Sequence, residues 1–212
     1  MKGNAAIRGD VCSVGKRMGR NDDYAIYTPD IGACVADGVG GAPLGDALAR
    51  LACCVAMRAL KDGSSAVEAV NKAKERVVEF VKETDSPASG TSLTVIKFRD
   101  DSMEAAWLGD VALFVCMQGA NGNQTVSTLE EFPPSHYLCC RKHEEPQHME
   151  IPLKTLNDAV ACTDGVWRRL GASAVAKMME SPLSVREKAA RLAMGEELMD
   201  DSTALVLSVE RT

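Results

Sequence analysis

The sequence predicts an α+β fold built on largely antiparallel sheets. Three observations carry that reading. Strand-like apolar runs and helical periodicities come in separate blocks, the pattern of α+β chains and not of repeated βαβ units. Asn121-Gly122 between two apolar runs signals a tight antiparallel hairpin. The chain has 212 residues, enough for one substantial core, and no linker-like stretch divides it, so a single domain over residues 1–212 is expected.

Residues 5–16 alternate loosely and read as one or two strands around Gly9-Asp10. A basic stretch at 16–20 and then Asn21-Asp22-Asp23 lead to a strand at 24–27, which Pro29-Asp30 ends. The apolar run 31–36 is a buried strand. It meets Asp37-Gly38-Val39-Gly40-Gly41, and these glycines, with Gly45, permit φ > 0 or close approach to a ligand. Helical spacing then takes over at 46–61, with Leu48, Leu51, Ala52, Val55 and Leu60 on one face and Gly63 as C-cap. Ser65 and Glu68 stand at capping-box spacing and open a second helix to about residue 83.

Strands follow at 92–98, 103–108 and 111–117, the last two split by Gly109-Asp110. Residues 124–129 should pair back across the Asn-Gly turn. The stretch 130–147 holds Pro133, Pro134 and Pro146 and reads as a loop. A short strand at 149–153 precedes one at 159–162 that runs into Thr163-Asp164-Gly165-Val166-Trp167. Helices at 172–179 and 184–194, parted by Pro182, and a final strand at 203–209 complete the chain.

Composition excludes several function classes. The formal net charge is −6, so no basic footprint points to nucleic acid. No apolar run approaches the roughly 20 residues of a membrane span, and residues 1–9 lack the apolar centre of a secretory signal. A soluble cytoplasmic protein is the expectation. Cys34, Cys53, Cys54, Cys116 and Cys162 fall in apolar patterns and read as reduced core residues. His136, Cys139, Cys140, His143 and His148 have ligand types that suit zinc, but adjacent cysteines are not the usual two-residue spacer, and a solvated loop is the simpler reading. Trp107 and Trp167 sit among apolar neighbours as packing residues. Residues 38–41 lack the Lys-Ser/Thr of a phosphate-binding P-loop and the order of a dinucleotide fingerprint.

The chemistry-bearing residues are acids. Asp23 precedes a strand, Asp37 and Asp164 each follow an apolar strand and are followed by Gly, and Asp200 opens the last strand. Strand ends can bring distant residues to one edge of a sheet. Clustered carboxylates repel unless cations hold them, and hard oxygen ligands on a firm base are what Mg²⁺ or Mn²⁺ takes. The bland alternative for Asp37-Gly38 alone is an ordinary turn.

Asn21-Asp22-Asp23, Ala36-Asp37-Gly38-Val39-Gly40-Gly41 with Gly45, Ser89-Gly90-Thr91-Ser92, Leu108-Gly109-Asp110, Thr163-Asp164-Gly165-Val166-Trp167 and Asp200-Asp201-Ser202-Thr203 resemble, in order, the motifs of the metal-dependent Ser/Thr protein phosphatases, the PPM or type 2C family. The resemblance runs from about residue 10 to residue 209. It implies a four-layer α-β-β-α sandwich of two antiparallel sheets flanked by helix pairs, with a dinuclear Mn²⁺ or Mg²⁺ site at one edge. Asp37 resembles the carboxylate that bridges both ions, and Gly38 the residue whose carbonyl binds one of them. Asp164 and Asp200 resemble further ligands, and Asp23 an acid tied to the same cluster. Asp110, with Asp164, resembles the pair that can hold a third, weaker ion. The activity implied is hydrolysis of a phosphorylated protein by direct attack of a metal-bridging hydroxide, without a covalent enzyme intermediate.

The departures are specific. Asp22 replaces the usual Glu and is shorter. The phosphate-clasping Arg of the family has two neighbours here, Arg17 and Arg20, neither at the usual spacing; Arg17 is preferred. Val39 stands where many members have a His, and it cannot donate a proton. Arg168 takes the place of a frequent Asp after the Trp. The short interval from Asp110 to Asp164 implies a flap reduced to a loop. A non-catalytic, phosphatase-like binding module is the alternative, and Mn²⁺-dependent release of phosphate from a small aryl phosphate separates the two.

Overall fold

The chain packs its strands into two five-stranded sheets. The structure, a computed structural model, describes residues 5–17, 19–40, 42–119, 124–128, 138, 145–196 and 198–211. In chain order the elements are β1 (Ala5–Val14), β2 (Asp23–Thr28), β3 (Gly32–Gly38), α1 (Gly45–Lys61), α2 (Ala66–Glu83), β4 (Thr91–Phe98), β5 (Ser102–Leu108), β6 (Ala112–Gln118), β7 (Gln124–Thr128), β8 (Gln147–Pro152), β9 (Leu156–Cys162), α3 (Asp164–Leu170), α4 (Ala172–Met179), α5 (Val185–Ala193) and β10 (Ser202–Arg211). One sheet has the order β1-β10-β9-β6-β7 and the other β2-β3-β4-β5-β8. Neighbouring strands are antiparallel throughout.

The two-residue period of the strands assigns each face. On β3, Ala33 and Val35 join Leu113 and Val115 of β6 and Leu205 and Leu207 of β10 in a core between the sheets. The alternate residues Cys34 and Ala36 pack under α1 and α2. On the second sheet, Phe114, Val160 and Val206 pack under the C-terminal helices. Helices on one side, two sheets, and helices on the other give the four-layer α-β-β-α sandwich. Both faces of each sheet are covered, which is why the central strands read as continuous apolar runs and not as clean alternation.

Local chemistry fixes the helix ends. Ser65 and Glu68 form the expected capping box on α2, and Ser184 and Glu187 form another on α5. Gly63 takes φ +98° just past α1. Lys188 of α5 reaches the Asp158 carboxylate of β9 at 2.6 Å and the Met179 carbonyl at 2.6 Å, a buried ion pair that anchors the helix layer to the sheet.

Several expectations are refined. Residues 5–14 form one strand and not two. The motif after β9 opens α3, a 7-residue helix absent from the sequence reading. β7 pairs with β6 as the Asn-Gly signal implies, while the turn itself and most of 130–147 lie outside the described residues. Cys34, Cys53, Cys116 and Cys162 are buried, but Cys54 is exposed on α1. Among the described residues no helix is long and apolar enough to cross a membrane.

Candidate metal centre

Strand register brings the acids to one end of the sandwich. β2 and β3 pair so that Asp23 stands opposite Asp37. Ala25 and Tyr27 on β2, and Ala33 and Val35 on β3, face the space between the sheets. The same period turns Asp23 and Asp37 toward that space. Gly38 pairs with Thr91, and Leu93 with Leu108, which puts the Gly109-Asp110 turn at this end as well. In the other sheet Cys162 stands beside both Ala204 and Ala112, so Asp164, just past β9, and Asp200, just before β10, arrive there too. Asp164 is the first residue of α3 rather than a strand end, and Asp200 precedes β10 by two residues.

The two Asp-Gly steps need glycine for space and not for φ. A Cβ on Gly38 would meet the backbone of Gly45 and the Asp22 carbonyl, and one on Gly165 would meet the Asp201 carbonyl. The ligand-approach role expected of these glycines is thus, at Gly38, close contact with the chain itself. Thr91 Oγ1 donates to the Asp37 carbonyl at 2.8 Å, and the Val39 N–H donates to the Gly90 carbonyl at 3.0 Å. The Ser89-Gly90-Thr91-Ser92 motif therefore clamps the backbone on both sides of Gly38.

The cluster is short of positive charge. Burial, first, and then the charges of Asp23, Asp164, Asp110 and Asp200 push the Asp37 carboxyl well above the usual carboxylate range. Its carboxylate receives no hydrogen bond among the described residues. Burial pushes Asp23 up to about 7; hydrogen bonds from Thr163 and Thr203 oppose the rise, and Asp201 and Asp164 add to it. Thr163 Oγ1 donates to Asp23 Oδ2 at 2.8 Å and accepts from the Thr203 N–H at 3.0 Å. Burial also raises Asp164; Arg168 opposes this, while Asp110 and Asp200 reinforce it.

Among the described residues, Arg168 is the cation paired with Asp164 and Asp110. Its Nη1 lies 2.7 Å from Asp164 Oδ2 and its Nη2 3.4 Å from Asp110 Oδ2. Its guanidinium carbon sits 5.1 Å above the Trp167 ring centre, and Trp167 Nε1 donates to the Asp110 carbonyl at 3.1 Å. Trp107 is a buried packing residue, with Nε1 donating to Gln147.

Next to the acids lies a cavity of about 280 Å³ lined by Lys16, Arg17, Arg20, Asp22, Gly40, Asp200 and Asp201. The two arginines differ. Arg20 forks onto Asp22, Nε to Oδ1 and Nη2 to Oδ2, both at 3.0 Å, and also reaches the Ala42 carbonyl at 3.0 Å. Arg17 is exposed, and its guanidinium has no partner among the described residues. Asp22 is thereby the buried partner of Arg20. Asp201 accepts the Lys16 N–H at 2.7 Å and the Asp22 N–H at 2.6 Å, tying the basic segment to the entrance of β10. Sequence reasoning missed the roles of Asp201, Thr163 and Thr203. Their motifs were visible, but their partners are distant in the chain.

Hard oxygen donors around an undersaturated carboxylate suit Mg²⁺ or Mn²⁺. Among the described residues no three His, Cys, Asp or Glu side chains are drawn in tightly enough to hold an ion as they stand. Arg168 holds Asp110 and Asp164, and Thr163 holds Asp23, so carboxylates that repel one another are spread over these partners. Of the zinc-type residues only His148, exposed on β8, is described; His136, Cys139, Cys140 and His143 lie outside the described residues.

A sequence profile of protein phosphatase 2C matches residues 16–200. The chain belongs to the protein phosphatase 2C family. As a member it is a metal-dependent protein-serine/threonine phosphatase. Solved phosphatases share its fold at low identity. The catalytic domain of PstP, a serine/threonine phosphatase of Mycobacterium tuberculosis, solved with two manganese ions, is 20% identical with a TM-score of 0.79, covering 97% of this chain and 99% of that one. Stp1 of Staphylococcus aureus is 11% identical with a TM-score of 0.82, over 96% and 95% of the two chains. PppA of Pseudomonas aeruginosa, a regulatory component of its type VI secretion system, is 18% identical with a TM-score of 0.78, over 98% and 100%. A comparison with curated protein sequences gives no match.

Proposed function

We propose that the whole chain, residues 1–212, acts as one phosphatase domain on phosphorylated serine or threonine in proteins, with Asp37, the Gly38 carbonyl, Asp164 and Asp200 holding a pair of Mn²⁺ or Mg²⁺ ions and Asp23 tied to them. The observation that supports this is the Asp37 carboxylate, raised by burial and by Asp23, Asp164, Asp110 and Asp200 and given no hydrogen bond among the described residues. When bound there, the ions supply an acidified water as nucleophile and neutralise charge on the phosphoryl oxygens.

The chain's own residues do the rest. Thr91 and Gly90 hold the backbone around Asp37 and Gly38, and Thr163 fixes the Asp23 carboxylate across the two sheets. Arg17 is the residue for the substrate phosphate, because it lines the cavity beside Asp200 while Arg20 is committed to Asp22 and Ala42. Val39 donates no proton, so the leaving oxygen takes its proton from water. Cys12, Cys34, Cys53, Cys54 and Cys162 carry free thiols, which fits a reducing, cytoplasmic setting, and the net charge of −6 gives no basic footprint for nucleic acid.

Phosphate release from a phosphothreonine peptide tests the reading. Hydrolysis should require Mn²⁺ or Mg²⁺, stop in excess chelator, and fall sharply in Asp200→Asn. Full hydrolysis in chelator would overturn the metal centre. Loss of hydrolysis in every metal, with phosphopeptide binding retained, would favour a binding module.

A further inference from the structure

The resemblance implies a third, weaker ion between Asp110 and Asp164, and the structure does not fit one there. Asp164 opens α3 and Arg168 follows it at i,i+4, one helical turn on. The guanidinium reaches Asp164 at 2.7 Å and Asp110 at 3.4 Å, so it bridges the two carboxylates that a third ion would need. Two further contacts and the burial of Asp110 set its place. Its carbon stacks 5.1 Å from the Trp167 ring centre, Trp167 donates to the Asp110 carbonyl at 3.1 Å, and Asp110 is itself buried on the turn after β5.

We propose that Arg168 is a built-in cation that takes the place of the third ion, so that this chain loads two ions where its resemblance would allow three. The inference rests on the metal-centre reading above. A guanidinium is charged at every working pH and offers a planar fork of donors, which suits two carboxylates side by side. A divalent ion entering between Asp110 and Asp164 would have to displace it against like charge. Arg168 is a positioning residue in this arrangement: it occupies one oxygen of Asp164 and thereby orients the carboxylate that also serves the ion pair.

Equilibrium dialysis of the full chain against a Mn²⁺ series, with bound ions counted by atomic absorption, tests this. Wild type should saturate at two Mn²⁺ per chain. Arg168→Ala should gain one further Mn²⁺ per chain, and Arg168→Lys, which restores a cation beside Asp110, should return to two. Three ions on wild type, or two on both wild type and Arg168→Ala, overturns the inference. Should Arg168→Ala fold poorly, Arg168→Gln decides, since it keeps most of the side chain and removes the charge: three ions per chain support the inference, and two overturn it. A wild type that binds no Mn²⁺ overturns the metal centre and this inference with it, so the two failures differ in the wild-type count alone.

Discussion

Replacing Asp37 by Asn keeps the size of the side chain and removes its charge. Asp37 stands directly opposite Asp23 on the neighbouring strand. Facing side chains lie about 5 Å apart, and two full charges at that distance repel by about 3 kcal/mol at an effective dielectric of about 20. Asp23, pushed up to about 7, and Asp37, raised well above the usual carboxylate range, are each charged only part of the time at neutral pH, which reduces the relief to about 1–2 kcal/mol. For a chain of this length the metal-free variant should melt about 2–8 °C above wild type. Saturating Mn²⁺ at about 100 times its dissociation constant should stabilise wild type by about 2.7 kcal/mol for each ion bound, and most of that gain should vanish in the variant. Turnover should fall at least about a thousandfold, or about 4 kcal/mol of barrier. Thermal melts with and without Mn²⁺, beside phosphopeptide hydrolysis, read all three quantities. A metal-free Asp37→Asn protein that melts well below wild type while its folded fraction keeps normal turnover would show Asp37 to be a turn residue and refute the reasoning.

Without metal, stability should fall as pH rises from about 4 to 8, because Asp23, Asp37 and Asp164 have raised folded-state pKa values and the native state holds the extra protons; Glu68 and Glu187, lowered by their caps, act oppositely but weakly since both are exposed. Urea melts across that range check the sign, and a rise with pH would contradict it. Arg17→Ala should leave the melting temperature within about 1 °C and lower kcat/KM for phosphopeptide about a hundredfold, whereas Arg20→Ala should lower the melting temperature by stranding buried Asp22. Thr163→Val should cost about 1–3 kcal/mol and weaken Mn²⁺ binding, with Thr163→Ser restoring both, because only the hydroxyl joins Asp23 to the Thr203 N–H. Calorimetric titration separates the last two effects.

Much of this was legible from local pattern. The strand into Asp37-Gly38, the capping box at Ser65 and Glu68 and the pairing of β7 with β6 rest on residues close in sequence. α3 escaped because it spans 7 residues, barely two turns, with Gly165 at its second position. Arg20 with Asp22 was hidden in plain view, since nothing local says which of two nearby arginines is already occupied. Thr163 with Asp23 spans 140 residues and Asp201 with the Asp22 N–H spans 179. Pairings across such distances are set by which strands become neighbours, and a local pattern carries no record of that.

The acids are divided between the halves of the sandwich: Asp23 and Asp37 belong to one sheet, while Asp164 and Asp200 flank strands of the other. Bare, such a group acts as a wedge driven into the seam, opposed there by the Thr163 and Asp201 hydrogen bonds and by the apolar side chains behind them. Loaded with the proposed ions, it would become a rivet through both plates. Affinity for the ions then includes the work of closing the seam. Trimming Leu205 or Ile96, well inside the sandwich, should loosen ion binding as surely as altering a ligand.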